Sequence, residues 1–230
     1  YKRINADFLQ NIPVSKNPVV YITGGQPGSG KSHISKDIEG QSKEALVVVD
    51  ADKTRQYHPD YRKLMQENDK TAADLTHADA GKWAGQLVRD AVNERKSLLI
   101  DQTSSNPEVL KSLAFHLKKS GYTVDIRLIA VPLEESAKRV ETRYQEQKQA
   151  FGFGRYSNPN NQKFAFEGVS KSFEMLTENI KQASIGKEDL LVDRLSIYNK
   201  DGVNVASVDA TVLVREAKEK QSAVAIDDAL

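Results

Sequence analysis

The sequence predicts an α/β fold, a mainly parallel sheet flanked by helices, on three observations. Apolar runs of strand length recur along the chain, helical stretches separate them, and a glycine-rich segment at residues 24–32 (GGQPGSGKS) joins the first run to the first helix. Strands that alternate with helices pack as a parallel sheet with helices on its faces. The 230 residues are enough for one such domain with a sizeable core. The expected domain spans residues 1–220, with 1–17 as an N-terminal extension and 221–230 as a tail that frays for want of a partner.

The strands are expected at residues 19–23, 45–49, 98–101, 124–131 and 195–198. Most are continuous apolar runs rather than alternating ones, as in strands covered on both faces. The helical stretches are 32–39, 71–95, 107–120, 133–149 and 167–183. Asn106 and Pro107 read as the cap and first residue of the third helix, and Gly121 as its end. Residues 151–161, dense in Gly and Asn, form the one long breaker-rich loop and read as a lid. Trp83 reads as core and residues 216–220 as a solvated helix face.

Composition limits the function classes. The net charge of +1 gives no global electrostatic case for nucleic acid. No apolar run approaches the length of a membrane span. The absence of Cys excludes disulfides and thiolate metal sites and fits a cytoplasmic protein. His33, His58, His77 and His116 lack metal-ligand spacing, which argues against zinc.

Residues Gly25, Gln26, Pro27, Gly28, Ser29, Gly30, Lys31 and Ser32 spell GxxxxGK[ST] between a β-branched strand and a helix, the context of a phosphate-binding loop. Gly28 and Gly30 admit backbone conformations closed to bulkier residues, so successive N–H groups turn inward around a phosphate at a helix N-terminus. Lys31 reaches the β- and γ-phosphates of ATP, and the Ser32 hydroxyl is the expected Mg²⁺ ligand. The fold class is thereby narrowed to the P-loop kinase fold.

Two acids, Asp50 and Asp52, follow the second strand at the sheet edge where ligands of open α/β sheets bind. A kinase needs a carboxylate there to take the proton of the acceptor hydroxyl, and Asp52, further out, is the expected base. Asp50 is left to the metal shell, the substrate side or the loop backbone; capping and turn roles for both acids are the alternative. Asp101 closes the third strand in the manner of a Walker B acid and serves either a magnesium-bound water or a substrate hydroxyl. Arg139 and Arg143 lie four apart on one helix and Arg155 sits in the lid. Arg143 and Arg155 are the candidates for stabilising the transferring phosphoryl group.

Beyond this generic site, GGQPGSGKS, VVVDAD with TRQYHPDYRKL, LLIDQT, ETRY and RLSIYNKDGVNV follow one another as in the zeta toxins, the kinase partners of epsilon antitoxins. The chain resembles that family from about Val19 to Val205, and the pair His58-Pro59 after the acids has no counterpart in generic P-loop kinases. The resemblance implies phosphorylation of a hydroxyl of a UDP-amino sugar, typically UDP-N-acetylglucosamine, and an antitoxin polypeptide, separate or in cis, that restrains it. It further implies nucleotide-loop roles for Lys31 and Ser32, the base role for Asp52, substrate binding for Thr103, and phosphate contacts for Arg143 and Arg155. Asp101-Gln102-Thr103 stands where the family usually has Glu-Gly-Thr, the lid sequence is unlike the usual one, and no acid occurs at Gly85-Gln86 where the family has a sugar contact. Other readings of the shared loop are a kinase for a nucleotide, a polynucleotide end or an antibiotic hydroxyl, and a nucleotide-binding module without turnover.

Overall fold

The computed structural model describes residues 1–227. Six strands form one sheet in the order β2-β3-β1-β4-β5-β6. They are β1 (Val19–Gly24), β2 (Val47–Asp50), β3 (Leu98–Asp101), β4 (Thr123–Ile129), β5 (Arg194–Tyr198) and β6 (Asn204–Asp209). The first five are mutually parallel and β6 returns antiparallel to β5. The first five strands match the expected ones to within a residue or two.

Helices cover the sheet: α1 (Lys2–Leu9), α2 (Lys31–Gln41), α3 (Ala51–Arg55), α4 (Tyr61–Leu75), α5 (His77–Asn93), α6 (Pro107–Lys119), α7 (Leu133–Phe151), α8 (Pro159–Ser184) and α9 (Ala210–Asp227). The main core cluster joins Val20, Ile22, Leu98, Ile100, Val124 and Ile126 of the sheet to Leu87 of α5, Leu110 of α6 and Leu176 of α8. Ile4 and Leu9 of α1 are buried in the same cluster, so the N-terminal extension packs on the core. On the opposite face Ile34 and Ile38 of α2 meet Leu99 and Ile129.

Several elements depart from the sequence expectations. The expected helix 71–95 is two: the Thr76 hydroxyl turns back to donate to the Ala72 carbonyl at 2.7 Å, and α4 ends there. α4 in turn starts ten residues earlier and bends at Asn68, whose side-chain oxygen accepts from Lys70 N–H. α8 begins at Pro159 rather than at 167, because Asn158 accepts from Asn160 N–H at 2.9 Å and Pro159 occupies the first turn. The lid is accordingly shorter, residues 152–158. β6 carries no continuous apolar run, since it is largely exposed along the sheet edge. The tail expected to fray from Gln221 starts within α9, which is helical to Asp227; residues 228–230 lie outside the described residues.

The topology brings the chemistry to one edge. β1 is flanked by β3 and β4, and the carboxyl ends of β1, β2 and β3 stand side by side, with Asp101 paired to Thr23 on one side and to Asp50 on the other.

Candidate active site

The loop after β1 is built as the sequence requires. Gly28 (φ +81°) and Gly30 (φ +98°) occupy the left-handed region, and Gly30 caps α2 without a side-chain contact, leaving first-turn N–H groups directed at the cleft. A Cβ at Gly28 would lie 2.2 Å from the Ser136 carbonyl oxygen, so the loop fits against α7 only with glycine there. Gln26 is buried and donates to the Val131 carbonyl at 2.7 Å and to Ser136 Oγ at 3.2 Å. Gly25 N–H donates to the Thr103 carbonyl at 3.0 Å, and Ser29 N–H closes a turn on Gln26. Pro27 and Ser32 line the cleft.

Lys31 Nζ donates to the carbonyls of Gly25 at 2.6 Å and Gln26 at 3.1 Å. Burial of the ammonium lowers its pKa to about 8, against the attraction of Asp101. A cation so held has few solvent contacts to lose when an anion arrives.

The two acids after β2 have separate positions. Asp50 is the N-cap of α3: its carboxylate accepts from Asp52 N–H at 2.8 Å. Burial, and then the neighbouring Asp52 charge, raise its pKa. Asp52 sits in the first turn of α3, where the guanidinium groups of Arg55 and Arg155 both pair with its carboxylate, one on each oxygen. Asp101 accepts from Ser35 Oγ at 3.1 Å, and the Thr103 hydroxyl lies 2.9 Å from Ser105 Oγ.

Of the arginines on α7, Arg139 is taken up by Glu135 and the Lys200 carbonyl. Arg143 is different. Its Nε and one Nη are buried with no hydrogen-bond partner among the described residues, and burial followed by Arg155 lowers its pKa. An unpartnered guanidinium facing a cleft is an anion site in physical terms, since its donors are otherwise left unsatisfied.

The lid is clamped rather than loose. Gly154 N–H donates to Asp69 at 3.0 Å, Arg155 N–H donates to Gln147 at 2.7 Å, and the Tyr144 hydroxyl donates to the other Asp69 oxygen at 3.1 Å. Gly154 also packs where a Cβ would approach the Tyr144 carbonyl oxygen to 2.5 Å. These contacts aim Arg155 at Asp52.

Every site residue expected from the sequence therefore lies at this edge. Lys31, Ser32, Asp50, Asp52, Asp101, Thr103, Arg143 and Arg155 line one cleft of about 500 Å³. Sequence reasoning missed Arg55, Asp69, Asp74, His77 and Asn158. Arg55 had a legible signal, three residues after Asp52 on a helix; the lid anchor Asp69 had none, because it lies far from the lid in sequence.

Sheet order, loop and cleft define a nucleotide-binding protein of the P-loop kinase fold. Residues 5–206 match the model of the family described as Zeta toxin, and the chain belongs to that family. It is 31% identical over 188 residues to the Toxin PezT of Streptococcus pneumoniae serotype 4, covering 81% of this chain and 70% of that protein. It is 22% identical over 201 residues to the Toxin zeta of Streptococcus pyogenes, covering 87% and 67% respectively. A solved structure from the PezAT chromosomal toxin-antitoxin system of S. pneumoniae superposes with a TM-score of 0.70 at 27% identity, over 94% of this chain and 84% of that one. The fold is shared with the AvrRxo1-ORF1:AvrRxo1-ORF2 complex solved with ATP, at a TM-score of 0.58 and 18% identity, over 90% of this chain and 62% of that one.

Proposed function

We propose that the chain transfers the γ-phosphoryl group of ATP to a sugar hydroxyl of a UDP-amino sugar such as UDP-N-acetylglucosamine, and acts as a toxin by doing so. The observation that carries the reading is the convergence of a carboxylate, Asp52, with Lys31 and an unpartnered Arg143 across one cleft beside a phosphate-binding loop. Family membership supports the acceptor class.

In this mechanism the loop amides and Lys31 bind the β- and γ-phosphates, and the acceptor hydroxyl approaches from the side of Asp101 and Thr103. Asp52 accepts the hydroxyl proton as the oxygen attacks phosphorus in line with the leaving ADP oxygen. Arg143 and Arg155 stabilise charge spreading over the equatorial oxygens. Ser32 lines the cleft together with the carboxylates of Asp50 and Asp101, oxygen ligands of the kind a hard cation takes. Ser32 would hold Mg²⁺, with Asp50 in its outer shell, and the cation would neutralise phosphate charge. An antitoxin polypeptide that covers this cleft, and a cytoplasmic site of action where nucleotide sugars reside, complete the reading; PezAT is a toxin-antitoxin system, and AvrRxo1-ORF1 was solved in complex with AvrRxo1-ORF2.

The deciding experiment measures ADP release and product mass with UDP-N-acetylglucosamine, nucleosides, nucleic-acid 5′ ends and aminoglycosides as acceptors. Phosphorylated UDP-N-acetylglucosamine is expected; turnover only with another acceptor would overturn the sugar assignment and leave the kinase. Expression of the chain alone is expected to arrest bacterial growth, and arrest by a variant that has lost transfer would refute phosphorylation as its cause.

Two further results are expected. Arg155→Ala lowers kcat by about 10²-fold with little change in ATP affinity, because its contact with the transferring group is strongest in the transition state. Arg143→Ala, which removes a guanidinium already fixed on α7, lowers both; stopped-flow binding beside steady-state kinetics separates the two patterns. The second concerns pH. Lys31 is protonated below about pH 8, and above it the empty site loses the proton that a bound triphosphate needs. ATP binding therefore takes up protons near pH 8.5 and weakens as pH rises, whereas near pH 6.5 it takes up none. Calorimetry in buffers of different ionisation enthalpy reads this directly, and uptake that persists in Lys31→Met would assign the proton elsewhere.

A further inference from the structure

The turn that follows β3 is held in a shape that its own sequence does not favour. Ser104 has φ +52°, in the left-handed region where a side chain is strained. The two carbonyls at this residue are both held from outside the turn. Gly25 N–H of the phosphate-binding loop donates to the Thr103 carbonyl at 3.0 Å. The hydroxyl of Ser172, completely buried on α8, donates to the Ser104 carbonyl at 2.7 Å.

One helical turn earlier on α8, a Cβ at Gly168 would stand 1.9 Å from the Ser105 carbonyl oxygen. The helix backbone can approach the turn so closely only because that position is glycine. Neither Gly168 nor Ser172 lines the cleft; Thr103 does.

We propose that Ser172, with Gly168 giving it access, is a positioning residue for the acceptor. The hydroxyl replaces the donor that a regular turn would supply, holds Ser104 in the left-handed region, and so sets where the Thr103 hydroxyl stands relative to the nucleotide loop. Because α8 starts at Pro159, directly after its cap Asn158 at the end of the lid, the same helix joins the acceptor seat to the segment that carries Arg155. The proposal rests on the reading of Thr103 as an acceptor contact, and its test has one arm that does not depend on that reading.

The first arm is amide hydrogen exchange in Ser172→Ala, which removes one oxygen and adds no volume. Exchange of the Gly25 amide and of residues 102–106 should quicken by about tenfold, the expected result of leaving a buried carbonyl without its donor. Exchange in α6 should not change. The second arm is kinetic, with UDP-N-acetylglucosamine as acceptor: KM for it should rise about tenfold while the dissociation constant for ATP stays within about twofold. Gly168→Ala should reproduce both effects, and if it fails to fold, Ser172→Ala decides alone. Unchanged exchange at residues 102–106, or ATP affinity falling in step with the acceptor KM, would overturn the proposal. If the unaltered chain phosphorylates no UDP-N-acetylglucosamine, the functional reading fails, and the exchange arm still decides whether α8 holds the turn.

Discussion

Lys31→Ala is expected to abolish measurable phosphoryl transfer while leaving a folded protein. The ammonium donates to the Gly25 and Gln26 carbonyls, and among the described residues Lys31 belongs to neither core cluster, so its removal opens no cavity in the packed core. Burying that charge is itself unfavourable, as its lowered pKa reports, so the melting temperature should hold or rise slightly. The loss falls on the phosphates, where a preorganised cation in a partly enclosed site contributes at least roughly 10²–10³ in rate. The same variant should relieve growth arrest. A folded Lys31→Ala protein with near-normal turnover would refute the site.

Asp52→Asn is the second large effect. The side chain keeps its shape, and ATP affinity should change little, yet the loss of a general base lowers kcat by roughly 10²–10⁴. Stability should fall as well, by about 1–3 kcal/mol, because Arg55 is buried and loses its charged partner. Asp50 gives the contrast. Its carboxylate holds the Asp52 N–H, and Asn caps a helix about as well as Asp, so Asp50→Asn should leave α3 in place and affect chiefly the magnesium requirement. Asp50→Ala frees the first turn of α3 and should resemble a weak form of Asp52→Asn. Complete loss at Asp50→Asn with a small effect at Asp52→Asn would exchange the two roles.

The parts of this molecule that the sequence makes legible are those governed by local rules. The five parallel strands are continuous apolar runs because both their faces are covered, and the phosphate-binding loop is legible because Gly28 and Gly30 need backbone conformations that other residues resist. The cap at Asn106-Pro107 stands out in the sequence, whereas the same pair of signals at Asn158-Pro159 is hidden among other loop formers. β6 is illegible for a different reason: its residues are exposed, so no burial pattern marks them. The lid composition marks a loop but not what holds it, and Asp69 and Gln147 hold its backbone. Such anchors are side chains on other helices, and only the assembled fold brings them near.

Helix α7 has one consequence for distances. Ser136, against which Gly28 and Gln26 pack, and Arg143, which faces the cleft, are seven residues apart on it. Seven residues make nearly two full turns and about 10 Å of rise, so both lie on the same side of the helix. The helix therefore acts as a ruler, fixed to the loop at one mark and carrying a guanidinium at the other. Lengthening it by a single residue between the marks would swing Arg143 by about 100° away from the cleft while leaving the loop's grip untouched.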